Sequence, residues 1–445
     1  MRIYPDTKVY VICPGNYNSG GPESLHQLCS KLIELGIDAN ILYIKAQVPL
    51  NKADPVHDDY KKYHVPYTFN LEDAPHNVLI VPEFFSEYLY FVKNLQRVLW
   101  WMSVGNYLDI ISVRMNYGIN HALESPLPKF FYFHEADGDI EHWGQSEYVR
   151  QFLRINGVTE IKPVETPMRQ NFLSGADKIN FAAKKNIVAY NPRKGFEITE
   201  QLIRLAPNIN WQPIENMTPA QVQALLAKAK VYIDLGNFPG RERLPREAIL
   251  SGCVVITNRC GAAANDVDIN IPAEFKFDLE NSKPYQVIKK ICEVFDNFPA
   301  NYDKQRAFRD KERDAQKNFT IEIAKAFGIK NFPAPSVAFV QGVGEESFQL
   351  AAELFNSAEF APCFIVDDFF ATAEISHNLI LREQNRNYLR VGENFIEIIT
   401  RDDAKFLYWE GRIKKFALLE PDDAELAELK NFYEPAADDI LLFSR

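Results

Sequence analysis

At 445 residues, with 47% hydrophobic and 24% charged residues, the chain has enough apolar content for two to three domains. A net charge of −11 excludes nucleic acid and an anionic membrane face as its principal partner. Six scattered cysteines without a CxxC pair read as small core residues in a reducing cytosol, not as a disulfide framework or zinc site, and no apolar run approaches the roughly 20 residues of a membrane helix, so a cytoplasmic protein is expected.

Lys8 to Cys13 reads as a buried strand, followed by a loop from Pro14 to Glu23, a helix from about Ser24 to Leu35 stopped at Gly36, and a strand from Ile37 to Ile44. The loop carries the pair Gly20 and Gly21, which either cradles a diphosphate or makes a plain turn. Val78 to Pro82 and Arg97 to Val104 are further buried strands. The aromatics between them (Phe84, Phe85, Tyr88, Tyr90, Phe91) have near-helical spacing and read as core rather than as a membrane-docking face. Residues 134–142, HEADGDIEH, bring His134, Glu135, Asp137, Asp139, Glu141 and His142 together. The histidines lack i,i+4 spacing and the run is loop-like, so no metal is expected there. A helix from Gln145 to Ile155 follows, ending at Gly157.

A second series starts near residue 166: strand Asn186 to Tyr190, loop Asn191-Pro192-Arg193-Lys194-Gly195, helix Phe196 to Leu205 and strand Asn210 to Pro213. The loop Glu215-Asn216-Met217-Thr218 then leads into a helix from Pro219 to Ala229, with Thr218 and Pro219 as N-cap and first helical residue. Next come a strand from Val231 to Leu235, a loop from Gly236 to Leu244, a helix opening near Pro245 and stopping at Gly252, and a strand from Val254 to Thr257. That loop lies where open parallel sheets bind ligands, and it gathers Arg241, Glu242, Arg243, Arg246 and Glu247. Guanidinium groups there suit phosphate and a carboxylate one turn on suits ribose hydroxyls; the other reading is a solvated, self-paired surface. Lys283 to Phe327 is mostly helical and would close the second domain. From about Pro333 the pattern changes: a strand from Ala338 to Gln341, a helix near Glu345 to Asn356, a strand from Pro362 to Asp367, and hairpin-like stretches at 389–399 and 406–419.

Taken together, GGPESLHQL, GQSEYVRQFL, YNPRKGFEITEQLI and PREAILSGCVVITN resemble retaining glycosyltransferases of the GT-B fold, family 4 in particular, over roughly residues 8–330. The resemblance implies an α/β fold of two Rossmann-like domains, 1–165 on the acceptor side and 166–332 on the donor side, facing across a cleft; residues 333–445, beyond it, read from their own pattern as a small α+β appendage. It implies a nucleotide-sugar donor, a glycan or lipid-linked acceptor, no separate cofactor, no metal and no nucleic-acid partner. Gly20 and Gly21 would approach the donor diphosphate, Arg193 and Lys194 would bind it, Asn191 and Met217 would line the donor side, and Glu247 would hold the ribose. Pro239 stands where the family places a sugar-contacting glutamate. Glu242 is the nearest carboxylate, with Arg241 or Arg243 as further phosphate contacts. The stretch Trp100 to Asn106 lacks the histidine the family often has near the sugar, for which His134 is a loose substitute.

Glycosyl transfer passes through an oxocarbenium-like state as a nucleoside diphosphate departs, so stabilising phosphate charge is the main task. By resemblance the configuration is retained, and the leaving phosphate helps deprotonate the acceptor. Alternatives are a same-fold epimerase, or a non-catalytic sugar-nucleotide-binding or scaffolding protein. Acceptor binding, oligomerisation and docking to a membrane assembly are the readings for the appendage.

Overall fold

The computed structural model describes residues 1–328 except 2, 5, 46–48, 121–128, 136–138 and 177–178, and beyond them 336–339, 349–351, 353, 361–366, 380–383, 386–391, 394–401, 404, 413–419, 423–433 and 440–443.

The first unit runs β1 (Lys8–Pro14), α1 (Gly20–Glu34), β2 (Asp38–Ile44), β3 (Tyr67–Thr68), β4 (Val78–Pro82), β5 (Gln96–Trp101), α2 (Val104–Asn120), β6 (Ile140–Gly144), α3 (Glu147–Ile155) and β7 (Ile161–Pro163). Its strands pair in parallel in the order β3-β2-β1-β4-β5-β6-β7. That is the Rossmann order with one strand added. Both faces of the sheet are covered, which is why β1 is an unbroken apolar run: Val9, Val11 and Cys13 enter one core and Tyr10 and Ile12 the other.

Three boundaries differ from expectation. Helix α1 opens at Gly20, not Ser24, with Ser19 extended before it and Pro22 inside the first turn. The glycine pair is therefore helical rather than part of the loop. Strand β5 stops at Trp101 because the next N–H, that of Met102, donates to the Glu83 carboxylate at 2.9 Å instead of to a neighbouring strand, and α2 follows at once. Residues 140–142, the end of the run expected to be loop-like, belong to β6, where His142 is buried and its Nδ1 accepts the Trp101 indole N–H at 2.9 Å. Residues 136–138 of that run lie outside the described residues.

The second unit runs α4 (Gln170–Gly175), β8 (Lys185–Tyr190), α5 (Phe196–Leu205), β9 (Asn210–Pro213), α6 (Pro219–Lys228), β10 (Ala229–Asp234), α7 (Arg243–Leu250), β11 (Val254–Asn258) and β12 (Lys276–Phe277). Its strands are again all parallel, in the order β12-β11-β10-β8-β9, the other common doubly wound arrangement. Helix α6 starts on the expected cap: Thr218 Oγ1 accepts the Gln221 N–H at 3.3 Å, and the Gln221 side chain accepts the Thr218 N–H at 2.8 Å. Gly252 follows α7 at φ +83°, a left-handed conformation that costs a glycine nothing.

Four helices follow: α8 (Pro284–Asp296), α9 (Phe298–Lys304), α10 (Arg306–Arg313) and α11 (Ala315–Ala326). The last does not close the second unit, as its position in the chain led us to expect. Phe319, Ile323, Ala326 and the adjacent Phe327 complete the core of the first, with the Phe327 ring 5.8 Å from that of Trp143. The chain thus crosses between the units twice.

A third sheet has the order β15-β16-β17-β14-β13-β18-β19. Its strands are β13 (Ser336–Phe339), β14 (Ala361–Val366), β15 (Ile380–Glu383), β16 (Arg386–Val391), β17 (Asn394–Thr400), β18 (Ile413–Leu419) and β19 (Ile440–Phe443), and helix α12 (Asp423–Tyr433) precedes the last of them. The hairpin expected over 389–399 is present as antiparallel β16 and β17. Of the one expected over 406–419 only 413–419 are described, as β18, which pairs in parallel with β13 and β19; 405–412 lie outside the described residues. The helix expected near 345–356 is described only at 349–351 and 353, which are helical.

Candidate functional site

In a doubly wound sheet the ligand crevice lies beyond the carboxyl ends of the strands, where the order reverses. In the first sheet that point is between β1 and β4, and in the second between β8 and β10. The loops leaving those strands carry most of the candidate residues.

On the first unit, Gly20 and Gly21 form the opening turn of α1, and the Ser19 N–H before them donates to the Tyr60 hydroxyl at 2.9 Å. A Cβ added at Gly20 would meet nothing nearer than the Arg243 guanidinium carbon, at 3.9 Å, and one at Gly21 nothing nearer than Met102 Cε, at 3.8 Å. The fold itself does not demand glycine there. The pair leaves space beside a helix N-terminus, where N–H groups favour an anion.

On the second unit, the loop after β8 is drawn tight by Asn191, whose Oδ1 accepts the Arg193 N–H at 3.0 Å. Gly195 ends it at φ +60°, and a Cβ there would come within 2.6 Å of the Leu235 and Gly236 backbone. Only glycine lets the β8 and β10 loops lie this close. Their approach sets Lys194 Nζ 2.6 Å from the Glu242 carboxylate. Beneath them Asp234 is buried, accepting from Gly236 N–H at 3.1 Å and the Tyr232 hydroxyl at 3.0 Å; burial, with Glu242 nearby, pushes its carboxyl up to about 6.

The β10–α7 loop also docks on the first unit. The Val104 N–H donates to the Pro239 carbonyl at 2.8 Å, and Gly240 lies against the Met102 carbonyl. From the first turn of α7, Arg243 reaches across the cleft: Nη1 is 2.5 Å from Glu23 Oε2 and Nη2 is 3.1 Å from the Gly20 carbonyl. Glu247 stands one turn on, 1% exposed, with Arg169 Nη1 at 3.5 Å. Burial raises its carboxyl above the usual range, against the pull of Arg169 and Arg243.

The structure thus brings Arg243 to the Gly20–Gly21 turn and pairs Lys194 with Glu242, the neighbour of Arg243 in the chain. Arg241 does not join them. Its guanidinium is wholly buried between Glu165 and Glu312, which corrects its expected role as a phosphate donor. Arg246 is likewise turned inward, 2.7 Å from Glu312. Met217 packs against the second unit's core, and Arg193 is exposed at the surface. His134 lies exposed beside the Tyr132 ring. Sequence reasoning missed Glu23, Arg169, Asp234 and Glu83. Only Glu23 carried a local signal, a carboxylate three residues after the first glycine. Glu83 is buried at the carboxyl end of β4, where burial, opposed by the Met102 N–H, raises its carboxyl to about 7.

These features define a class: an α/β protein of two Rossmann-like units whose ligand edges meet across a cleft, the GT-B architecture. No protein-family model and no curated protein matches the chain. Among solved structures it is similar to Anabaena HepE in complex with UDP-glucose, at 10% identity over 72% of this chain and 99% of that one (TM-score 0.47). It is also similar to sucrose-phosphate synthase from Thermosynechococcus elongatus (12% identity, 79% and 100% covered, TM-score 0.46) and to a glycosyltransferase from Rickettsia africae (14%, 73% and 98%, TM-score 0.43).

Proposed function

We propose that this protein is a glycosyltransferase carrying a sugar from a nucleoside diphosphate donor to a glycan or lipid-linked acceptor, with retention and without a metal, in cytoplasmic synthesis of a surface polysaccharide or glycoconjugate. The observation that carries the reading is that Arg243 reaches the open N-terminal turn of α1, while Lys194 pairs with Glu242, the residue before Arg243, at the reversal points of two parallel sheets. Two cations and a helix N-terminus suit a departing diphosphate. Lys194 and Arg243 would take its charge, and Gly20 and Gly21 would let it approach the backbone. Glu247 would receive the ribose once the side chains over it move, since it is 1% exposed here.

One observation favours a non-catalytic binding protein instead. Pro239 occupies the place of the sugar-contacting glutamate, and its carbonyl is engaged by Val104. A thermal-shift screen against UDP, GDP, CMP, ADP and dTDP, followed by donor turnover, decides between them. A shift with one nucleotide, lost in Lys194→Ala, with release of the sugar, supports the enzyme. Binding without turnover supports the alternative, and no shift with any nucleotide from folded protein removes both.

A further inference from the structure

Buried in the first turn of α1 is a carboxylate shared by cations from both units. Glu23 is 1% exposed. Its Oε2 receives Arg243 Nη1 at 2.5 Å and Arg169 through Nη2 at 2.7 Å and Nε at 2.8 Å; its Oε1 receives the Tyr63 hydroxyl at 2.9 Å and Lys62 Nζ at 3.2 Å. Burial opposes its charge, but Arg243, Arg169 and Lys62 outweigh that and hold its carboxyl at about 2. It is an anion at every physiological pH.

These partners are not equivalent. Arg169 makes two bonds to Glu23, and Lys62 and Tyr63 come from the segment packed over α1, on the same unit. Arg169, the residue before α4, and Arg243, in α7, both arrive from the second unit, but Arg243 makes a single bond to Glu23 and its other nitrogen already rests on the Gly20 carbonyl, beside the glycine pair. If Arg243 departs, Glu23 keeps Arg169, Lys62 and Tyr63, so no buried charge is orphaned. That departure is therefore inexpensive, unlike the breaking of a lone buried pair. A carboxylate and a phosphate also present the same fork to a guanidinium.

Building on the function proposed above, we propose that Glu23 is an internal stand-in for the ligand's diphosphate: it holds Arg243 and yields it to an incoming anion, so that Glu23 sets how tightly the cleft binds. A ligand gains only the difference between the two pairings.

Calorimetric titration of the full chain with inorganic pyrophosphate tests this in wild type, Glu23→Gln, Arg243→Gln and the double variant. Glu23→Gln is expected to bind about tenfold tighter, the net worth of one charge-assisted hydrogen bond. The gain disappears in the double variant. A merely structural role for Glu23 gives equal or weaker binding, and that result overturns the inference. If thermal unfolding shows that Glu23→Gln does not fold, Glu23→Asp replaces it: it keeps the charge in the cluster and, one methylene shorter, draws the oxygen that Arg243 and Arg169 share back from both. Tighter binding is expected there too, and equal or weaker binding again overturns the inference. Pyrophosphate binding to wild type without a gain in the variants removes this inference alone. No binding to wild type or to any variant removes the proposed function with it.

Discussion

The Lys194 ammonium lies 2.6 Å from the Glu242 carboxylate, so two residues that approach the cleft from different loops are each other's counter-ions. Both side chains are partly exposed, at 31% and 24%, and such a pair adds only about 0–1 kcal/mol to folding. Lys194→Ala is therefore expected to leave the melting temperature nearly unchanged and to weaken nucleoside diphosphate binding tenfold or more. A variant that melts as wild type and binds as wild type would remove Lys194 from the site.

Gly195 makes the opposite prediction, because its substitution acts through the backbone. A methyl group there meets the Leu235 and Gly236 backbone at 2.6 Å on a residue already at φ +60°. Gly195→Ala is expected to cost about 1–3 kcal/mol in urea unfolding and to reduce diphosphate binding by displacing Lys194. The same substitution at Gly20, where a methyl group would make only an ordinary contact with the Arg243 guanidinium, should leave stability within about 1 kcal/mol of wild type. Equal losses at both sites would contradict this geometry.

Glu312 is buried without exposed surface and serves both Arg241 and Arg246. Burial alone would raise its carboxyl, but the two guanidinium groups draw it below the usual range. Glu312→Gln leaves two buried cations short of a counter-charge, and a loss of about 3–5 kcal/mol is expected. The check is the urea midpoint at unchanged slope.

Glu83 gives a pH signature. Its carboxyl rises from an ordinary 4.5 to about 7 in the folded chain, chiefly by burial. Between those values the native state holds a proton that the unfolded state has released. The contribution is therefore complete below the ordinary value and lost as pH rises through about 7. Glu83→Gln is expected to flatten that decline, so the stability difference from wild type should change across the window from 4.5 to 7 and be constant above it. Urea midpoints at half-unit pH steps measure it, and a difference independent of pH would show that Glu83 does not titrate there.

Much of the fold was legible because parallel sheets covered on both faces leave strong traces. Apolar runs such as Val78 to Pro82 and Val254 to Thr257 are strands, and glycines at the ends of α1 and α7 mark the stops. The ends of elements were harder to read. Arg97 to Val104 is one apolar run, and only a carboxylate from another loop decides that pairing stops at Trp101. At the site, the neighbours Arg241 and Arg243 look alike in sequence, yet one is turned into the protein and the other across the cleft. What separates them is where Glu165, Glu312 and Glu23 lie, and those partners are remote along the chain. The destination of α11 was hidden for a related reason: an amphipathic stripe shows that a helix packs, not which core receives it.

That helix also orders events on the ribosome. Domains commonly fold as units, N-terminal first, as they emerge. Here the first unit cannot finish by itself, since Phe319, Ile323 and Phe327 belong to its core and leave the tunnel only after the whole second sheet has been made. The nascent first sheet waits with one apolar side covered only in part, by α1, and when α11 arrives it completes that side and fastens the two units together in the same step.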